Sequence, residues 1–250
     1  MARDGAVIVD GLFPKPLLEK MRKRVLALHQ KGVLRRRGLV RDIAGRYAAV
    51  LPFEGPFLDR RFYANPALHS LLAGLLGKDY RISSLETVIA LPGAYEQHQH
   101  IDGALRLDPH KGKLPDLPPH AVTLCVPLCD VGEDNGPTAI WAGSHREALR
   151  ARPASERAIR RKYREEHVVG PMGRCFFFDY RVFHCGMPNM TAEVRPVLMF
   201  VFCRPWFRDQ NLADVHPRVV IEKRDLARVP ARNRELFLLA PTARRALWTR

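Results

Sequence analysis

The stretch "GRCFFFDYRVFHCGMPNMTAEVRPVLMFVF", residues 173–202, contains two apolar runs of strand length. The first run ends at His184 and the second begins near Arg195. Aromatic and β-branched residues favour strands, and the intervening "CGMPNMTAE" is rich in residues that favour turns. We expect a hairpin centred between Asn189 and Met190. It would place His184 opposite Arg195, with Cα atoms about 5 Å apart.

The same pattern extends upstream to about residue 81. "YRISSLETVIALPGAYEQHQHIDG", "HAVTLCVPLCDV" and "PTAIWAG" are strand-like runs separated by Gly, Pro, Asn and Asp. Before them, "PKPLLEKMRKRVLALHQKG" and "NPALHSLLAGLLG" have helical spacing, with Pro or Asn at the start and Gly at the end. The sequence therefore predicts a mainly β protein with flanking helices, built as an antiparallel sandwich or barrel.

The length of 250 residues fits a single domain with a sizeable core. We expect the core at about 80–205, an N-terminal helical support at 1–79 and a C-terminal extension at 206–250. Two segments interrupt the strands. "LRLDPHKGKLPDLPPH" begins just after Asp102, where a lid would be useful, and the arginine-rich "REALRARPASERAIRRKYREE" is predicted to be helical.

The composition indicates the possible partners and the compartment of the protein more than its chemical activity. The net charge of +15 favours encounters with anions, including nucleic acid, carrier proteins and phosphorylated metabolites, but does not choose among them. The five cysteines contain no CxxC pair, which predicts buried, reduced thiols. The chain shows no long apolar run or signal-like start, so we expect a cytoplasmic protein without a membrane partner.

The motif "HQHIDGAL", residues 98–105, suggests half of a metal site. His100 and Asp102 share one side of an extended strand, and a strand ending at Gly103 would let the carboxylate turn toward the imidazole. With His184, they would form the two-histidine, one-carboxylate triad typical of non-heme Fe(II), which leaves three coordination positions open. Arg195 would supply a fixed cation for the far carboxylate of a bidentate 2-oxo acid.

Neighbouring residues allow other interpretations. His98 shares the face of His100, but no Glu follows at the spacing that would complete a ligand set, so we expect a pocket or core histidine. Gln97 is a candidate for cofactor binding, with a surface role as the alternative. Trp141 fits either the wall of a substrate pocket or the core.

The motifs "QHQHIDG", "NGPTAIWAGSHR" and residues 173–195 resemble the phytanoyl-CoA dioxygenase family of Fe(II)- and 2-oxoglutarate-dependent oxygenases. The resemblance covers roughly residues 5–207. It implies a double-stranded β-helix (jelly-roll, cupin-like) core and Fe(II), 2-oxoglutarate and O₂ as cofactors. It also implies that His100, Asp102 and His184 bind the metal and that Arg195 holds the C5 carboxylate of 2-oxoglutarate.

One position departs from the family pattern. Some relatives carry a serine or threonine two residues after the arginine, whereas this chain has Val197. A second hydroxyl contact to the carboxylate would have to come from elsewhere, and Ser83, Thr87 and Thr123 are the candidates.

The resemblance implies oxidation of an unactivated C–H bond in a small-molecule substrate, with release of succinate and CO₂. An anionic, carrier-linked or natural-product substrate is compatible with the basic composition. Related halogenases have a small residue in place of the carboxylate, so Asp102 favours hydroxylation or another O₂-dependent oxidation over halogen transfer. Desaturation, epoxidation or cyclisation would use the same residues. The rival hypothesis is a basic nucleic-acid-binding protein with salt-sensitive affinity and no iron requirement. We expect no nucleic-acid partner, and the oligomeric state is left open.

Overall fold

The computed structural model describes residues 1–37, 45–104, 117–149, 154–209 and 218–240. The strands are β1 (Ala6–Val9), β2 (Arg46–Val50), β3 (Arg81–Ala90), β4 (Ala121–Pro127), β5 (Thr138–Trp141), β6 (Glu165–Val168), β7 (Cys175–Asp179), β8 (His184–Gly186) and β9 (Arg195–Cys203). The α-helices are α1 (Lys15–Gln30), α2 (Val33–Arg37), α3 (Arg60–Tyr63), α4 (Pro66–Leu76), α5 (Glu156–Lys162), α6 (Lys223–Arg228) and α7 (Ala231–Arg234). Short 3-10 helices span Gly55–Leu58, Ser144–Leu149 and Glu235–Phe237.

The strands form two antiparallel sheets. The larger has the order β1-β7-β4-β9-β3-β2 and the smaller the order β6-β5-β8. Residues of both sheets, including Cys125, Ile140 and Phe178, pack in one apolar cluster, so the sheets face each other. This two-sheet jelly-roll arrangement with flanking helices confirms the predicted fold class.

The larger sheet has a helix-covered face and an inner face because successive strand side chains point to opposite sides. On β9, Leu198, Phe200 and Phe202 belong to the main hydrophobic cluster with α1 and α4. The Phe62 ring stacks on Phe200 with centroids 4.9 Å apart. Arg195, in contrast, lies on the inner face, where the candidate site is built.

The predicted helices α1 and α4 are present. Asn65 caps α4, since its side chain accepts hydrogen bonds from the Ala67 and Leu68 backbone N–H groups. Gly77 ends the helix at a φ of 88°, which only glycine adopts at little cost.

The predicted hairpin between His184 and Arg195 is wrong. His184 pairs with Ile140 in the smaller sheet, and Arg195 pairs with Ala90 in the larger one. The run ending at His184 is not one strand, because a turn follows Asp179, whose side chain accepts from the Arg181 backbone N–H at 3.0 Å. This turn moves the chain from one sheet to the other.

Several local predictions need correction. The N-terminal part, expected to be a helical support, also supplies β2 to the larger sheet; β1, the other strand from this part, is where the run "AVIV" favours a strand. The arginine-rich segment, predicted to be helical, overlaps a 3-10 helix and contains α5, but it ends in the strand β6. The predicted lid lies largely outside the described residues, as does the end of the C-terminal extension. The single-domain division stays a prediction.

The cysteines are free and mostly buried, as predicted. None of the helices in the described part of the chain combines the length and the apolar character needed to cross a bilayer.

Candidate active site

The structure brings together the three residues that the sequence marked as a possible metal triad. One ligand atom each from His100, Asp102 and His184 lies within 4.8 Å of the others. The two imidazole centroids are 4.4 Å apart, and Asp102 Oδ1 lies 3.6 Å from His184 Nε2. His184 is buried whereas His100 is exposed, so the cluster is open to solvent on the His100 side.

Backbone pairing places the two histidines. The His100 N–H donates to the His184 carbonyl at 3.0 Å, and the His184 N–H donates back to the His100 carbonyl at 2.9 Å. Such a reciprocal antiparallel pair puts both side chains on the same face. The distal histidine therefore reaches the motif through a bridge to β8, not through a hairpin with β9.

Asp102 turns back toward the histidines because the next residue packs closely on another segment. The Gly103 N–H donates to the Tyr180 carbonyl at 3.0 Å. A Cβ added to Gly103 would lie only 2.8 Å from Tyr180 Cδ1. Glycine is required here for close approach.

The hydrogen bonds of the two imidazoles orient their metal-binding nitrogens. Nδ1 of His184 lies 3.0 Å from the Val182 carbonyl, and Nδ1 of His100 lies 2.8 Å from the His98 carbonyl. A carbonyl only accepts, so Nδ1 carries the proton in each ring and Nε2 keeps its lone pair. Burial lowers the pKa of His184 to about 4, so this ring is neutral near pH 7.

His98 is not a core residue, because its side chain is exposed, and its backbone carbonyl accepts from the His100 ring. A position for His98 in the pocket stays a prediction.

Arg195 is a buried cation on the same inner face of the larger sheet. Its side chain is 4% exposed, and its Nε has no hydrogen-bond partner within the described part of the chain. Among the residues that the structure describes, no carboxylate forms an ion pair with Arg195. Burial lowers its pKa, yet a guanidinium in a protein stays protonated. A buried, uncompensated charge is costly, so this position is suited to an anionic ligand.

The buried thiol of Cys125 is within electrostatic reach of both Asp102 and Arg195. Burial and the charge of Asp102 raise its pKa, while the charge of Arg195 lowers it, so both groups act on the same thiol. Val197 and Phe178 join Cys125 in an apolar cluster, and the Phe178 ring lies 4.5 Å from the His184 ring. The space between the triad and the arginine is thus bordered by apolar side chains.

Arg46 is a second buried cation on this face, and sequence reasoning missed it. It lies on β2 opposite Ala90, and Ala90 pairs with Arg195 on the other side. Its guanidinium donates to the carbonyls of Tyr95 and Met187. Burial and the charge of Arg195 lower the pKa of Arg46 to about 10. Arg46 therefore connects the two segments that carry the histidines.

The proposed hydroxyl contacts to the 2-oxoglutarate carboxylate do not face Arg195. Thr87 donates to the Val197 carbonyl at 3.2 Å, and Ser83 lies at the opposite end of β3 from Ala90. Thr123 donates to Asp102 Oδ2 at 3.1 Å. No sequence motif marks this last contact; only strand alternation places Thr123 on the inner face.

Gln97 joins the segment that carries His100 to β8 through two hydrogen bonds. Its backbone N–H donates to the Gly186 carbonyl, and its Oε1 accepts from the Gly186 N–H, both at 2.9 Å. Contact between Gln97 and a cofactor stays a prediction.

Trp141 belongs to the core and does not wall a pocket. It is fully buried with Ile159 and Phe183 on the outer side of the smaller sheet. The Arg160 guanidinium lies over its ring, 4.9 Å from the centroid.

Residues from the C-terminal extension also reach this region, which sequence reasoning did not predict. Arg218 pairs with Glu86 of β3 at 2.7 Å and with Asp209. Asp209 accepts a hydrogen bond from Tyr180, which packs on Gly103. The extension is thereby connected to the turn that carries the candidate carboxylate ligand.

Comparisons with known proteins show which family and which solved structures this chain resembles. The sequence model of the phytanoyl-CoA dioxygenase (PhyH) family matches residues 1–197. The crystal structure of HygX from Streptomyces hygroscopicus, with nickel, 2-oxoglutarate and hygromycin B bound, aligns with a TM-score of 0.61 at 16% identity, covering 88% of this chain and 93% of that chain.

Two further solved structures have the same fold. AviO1 from Streptomyces viridochromogenes Tue57 aligns with a TM-score of 0.60 at 19% identity, covering 82% of this chain and 92% of that chain. EvdMO1 aligns with a TM-score of 0.60 at 21% identity and 82% coverage of this chain. The alignment covers 48% of EvdMO1, so this chain spans about half the length of that protein.

Proposed function

Because this chain belongs to the phytanoyl-CoA dioxygenase family of Fe(II)- and 2-oxoglutarate-dependent oxygenases, we propose that it oxidises an unactivated C–H bond of a small-molecule substrate. Its cofactors are Fe(II), 2-oxoglutarate and O₂. The observation that carries the proposal is the convergence of His100, Asp102 and His184 on the inner face that holds the buried Arg195.

We assign Nε2 of His100, Nε2 of His184 and Oδ1 of Asp102 as the metal ligands. Two neutral imidazoles and one carboxylate are the donor set of non-heme Fe(II) oxygenases. The set fits this metal because each Nδ1 is already committed to a backbone carbonyl, which leaves Nε2 as the donor. A single carboxylate leaves the bound ion with net positive charge, which suits an anionic 2-oxo acid.

Arg195 is the proposed anchor for the distal carboxylate of 2-oxoglutarate. Its unpartnered Nε and its burial mean that an incoming carboxylate would satisfy a donor and neutralise a charge together. The side chains of Cys125 and Val197 would exclude water from the aliphatic part of the ligand.

The bound iron, 2-oxoglutarate and O₂ supply the oxidation: one oxygen atom enters the substrate, the other enters succinate, and CO₂ leaves. Within this chemistry, the part of the protein is to hold the co-substrate through Arg195 and to direct the substrate toward the triad. The presence of Asp102 favours hydroxylation over halogen transfer; desaturation, epoxidation and cyclisation are alternatives with the same residues.

A small-molecule substrate is supported by HygX, a protein of the same fold that holds hygromycin B. The basic composition is compatible with an anionic or carrier-linked compound. None of the contacts described above favours the nucleic-acid-binding alternative.

Succinate formation from 2-oxoglutarate, with and without Fe(II), tests the proposal. We expect iron-dependent turnover that His184→Ala abolishes, because one imidazole donor is lost. Arg195→Ala should raise KM for 2-oxoglutarate by about 10- to 100-fold, since it removes a charged hydrogen-bond donor.

His167→Ala is the control, because this histidine of the smaller sheet bonds to Glu133 and Glu165 and not to the triad. Full turnover in His184→Ala would contradict the proposal, as would turnover that does not depend on iron.

A further inference from the structure

We propose that Thr123 is a positioning residue for the metal centre: its hydroxyl holds Oδ2 of Asp102, so that Oδ1 alone faces the iron. This inference rests on the proposed function, since it concerns the same site. In this proposal Thr123, a buried strand residue, determines which oxygen of Asp102 binds the metal.

The two oxygens of Asp102 have different neighbours. Oδ2 accepts the Thr123 hydroxyl at 3.1 Å, whereas Oδ1 lies 3.6 Å from His184 Nε2, the proposed metal-binding nitrogen. The carboxylate is thus already turned with one oxygen toward the strand and the other toward the distal histidine.

Thr123 is held rigidly enough to impose this orientation. It is fully buried in β4, where it pairs with Phe178 on one side and Val201 on the other. A β-branched side chain has few accessible χ1 rotamers in a strand. Phe178 also packs against the His184 ring, so the same strand pair positions both the hydroxyl donor and one imidazole.

The consequence concerns the number of open coordination positions. Two imidazoles and a carboxylate bound through one oxygen leave three positions, enough for a bidentate 2-oxo acid and O₂. A carboxylate that bound through both oxygens would occupy one of these positions. A hydrogen bond to Oδ2 disfavours that second mode, as outer hydrogen bonds commonly do for metal-binding carboxylates.

A matched control exists in the same sheet. Thr87 of β3 is also fully buried, and its hydroxyl donates to the Val197 backbone carbonyl at 3.2 Å, away from the triad. Replacing either threonine by valine removes one buried hydroxyl while keeping shape and β-branching. Only the Thr123 variant should alter the metal centre if the inference is correct.

The test uses Co(II) in place of Fe(II), because its visible absorption reports coordination number and geometry. Binding is titrated without O₂ for the wild type and for Thr123→Val, Thr123→Ser and Thr87→Val. We expect Thr123→Val to weaken Co(II) binding by about 10- to 100-fold and to change the spectrum. Thr123→Ser should restore both properties, and Thr87→Val should match the wild type.

Wild-type affinity and spectrum in Thr123→Val would overturn the inference. Equal losses in Thr123→Val and Thr87→Val would also overturn it, because they would show a purely structural effect. If Thr123→Val does not fold, Thr123→Ala compared with Thr123→Ser decides in the same way. A wild-type protein that binds no Co(II) would instead refute the proposed function.

Discussion

His120 and His184 are buried imidazoles with different surroundings. Burial lowers the pKa of each to about 4. Nδ1 of His184 is hydrogen-bonded and its Nε2 faces Asp102, whereas neither ring nitrogen of His120 has a hydrogen-bond partner among the residues that the structure describes. His120 instead contacts the rings of Tyr180 and Phe207. It therefore behaves as an aromatic core residue that can be protonated.

We predict that His120→Phe reduces the loss of stability at low pH. The folded-state pKa of about 4 lies below the ordinary value of 6.5, so the unfolded chain binds the proton first as the pH falls. This contribution to stability is complete above pH 6.5 and is lost on the way to pH 4. Between pH 7 and pH 5 the wild type should lose about 2 kcal/mol of unfolding free energy through His120, and the phenylalanine variant should not show this loss.

Urea unfolding of the metal-free protein at pH 7 and pH 5 measures this difference. Burial is the main cause of the shift, Asp179 and Asp209 oppose it, and Arg181 and Arg204 add to it. An unchanged pH dependence in the variant would show that His120 is not the titrating group.

At the scale of elements, the proposed ligands come from a turn and a strand end that touch. Gly103 and Gly186 both occupy positions where a side chain would collide, with Tyr180 in the first case and with Gln97 and Arg46 in the second. These glycines allow backbone segments to approach closely.

We predict opposite effects for two glycine-to-alanine changes. Gly103→Ala should destabilise the fold by about 1–3 kcal/mol and weaken metal binding, because the added methyl group displaces the Asp102 turn from Tyr180. Gly74→Ala, in α4, should stabilise it by about 0.5–1 kcal/mol, because apart from the adjoining helix backbone no atom of the described residues comes within 4 Å of the added Cβ. Denaturant unfolding and Co(II) titration of both variants provide the measurement. Wild-type stability and metal affinity in Gly103→Ala would contradict this account.

At the scale of the whole molecule, the C-terminal extension completes the inner face. Arg218 has a side chain only 12% exposed and links Glu86 of β3 to Asp209. The extension also docks beside β2, where Val220 bridges to Pro52. It is thus part of the structure that supports the site.

We predict that Arg218→Met destabilises the protein by about 3–5 kcal/mol, because it removes the cation that pairs with the buried Glu86 carboxylate. Arg224→Met is the control, since this arginine pairs with Glu222 at a side-chain exposure of 73% and should contribute little. Chemical denaturation of the two variants tests the difference, and equal stabilities would refute the role of the extension.

Local features of the fold could be predicted because their causes lie in neighbouring residues. The cap at Asn65, the glycine after α4 and the strand character of 195–203 follow from short-range preferences. The strands β2 and β6 were not predicted, because short-range preferences do not favour them. β2 and β6 are short and carry charged residues, so their strand character comes from their partners β3 and β5.

By itself the sequence determined which side chains could form an iron site: two histidines, an aspartate and an arginine, whose chemistry does not depend on the path of the chain. Only the tertiary structure decided how they meet, with His184 paired to His100 and with Arg195 in the other sheet, where it pairs with Ala90. It alone placed Thr123 on Asp102 and Arg218 on Glu86. The physical reason is that hydrogen bonds between distant strands depend on the turns that separate them, and one turn after Asp179 moved His184 into the other sheet.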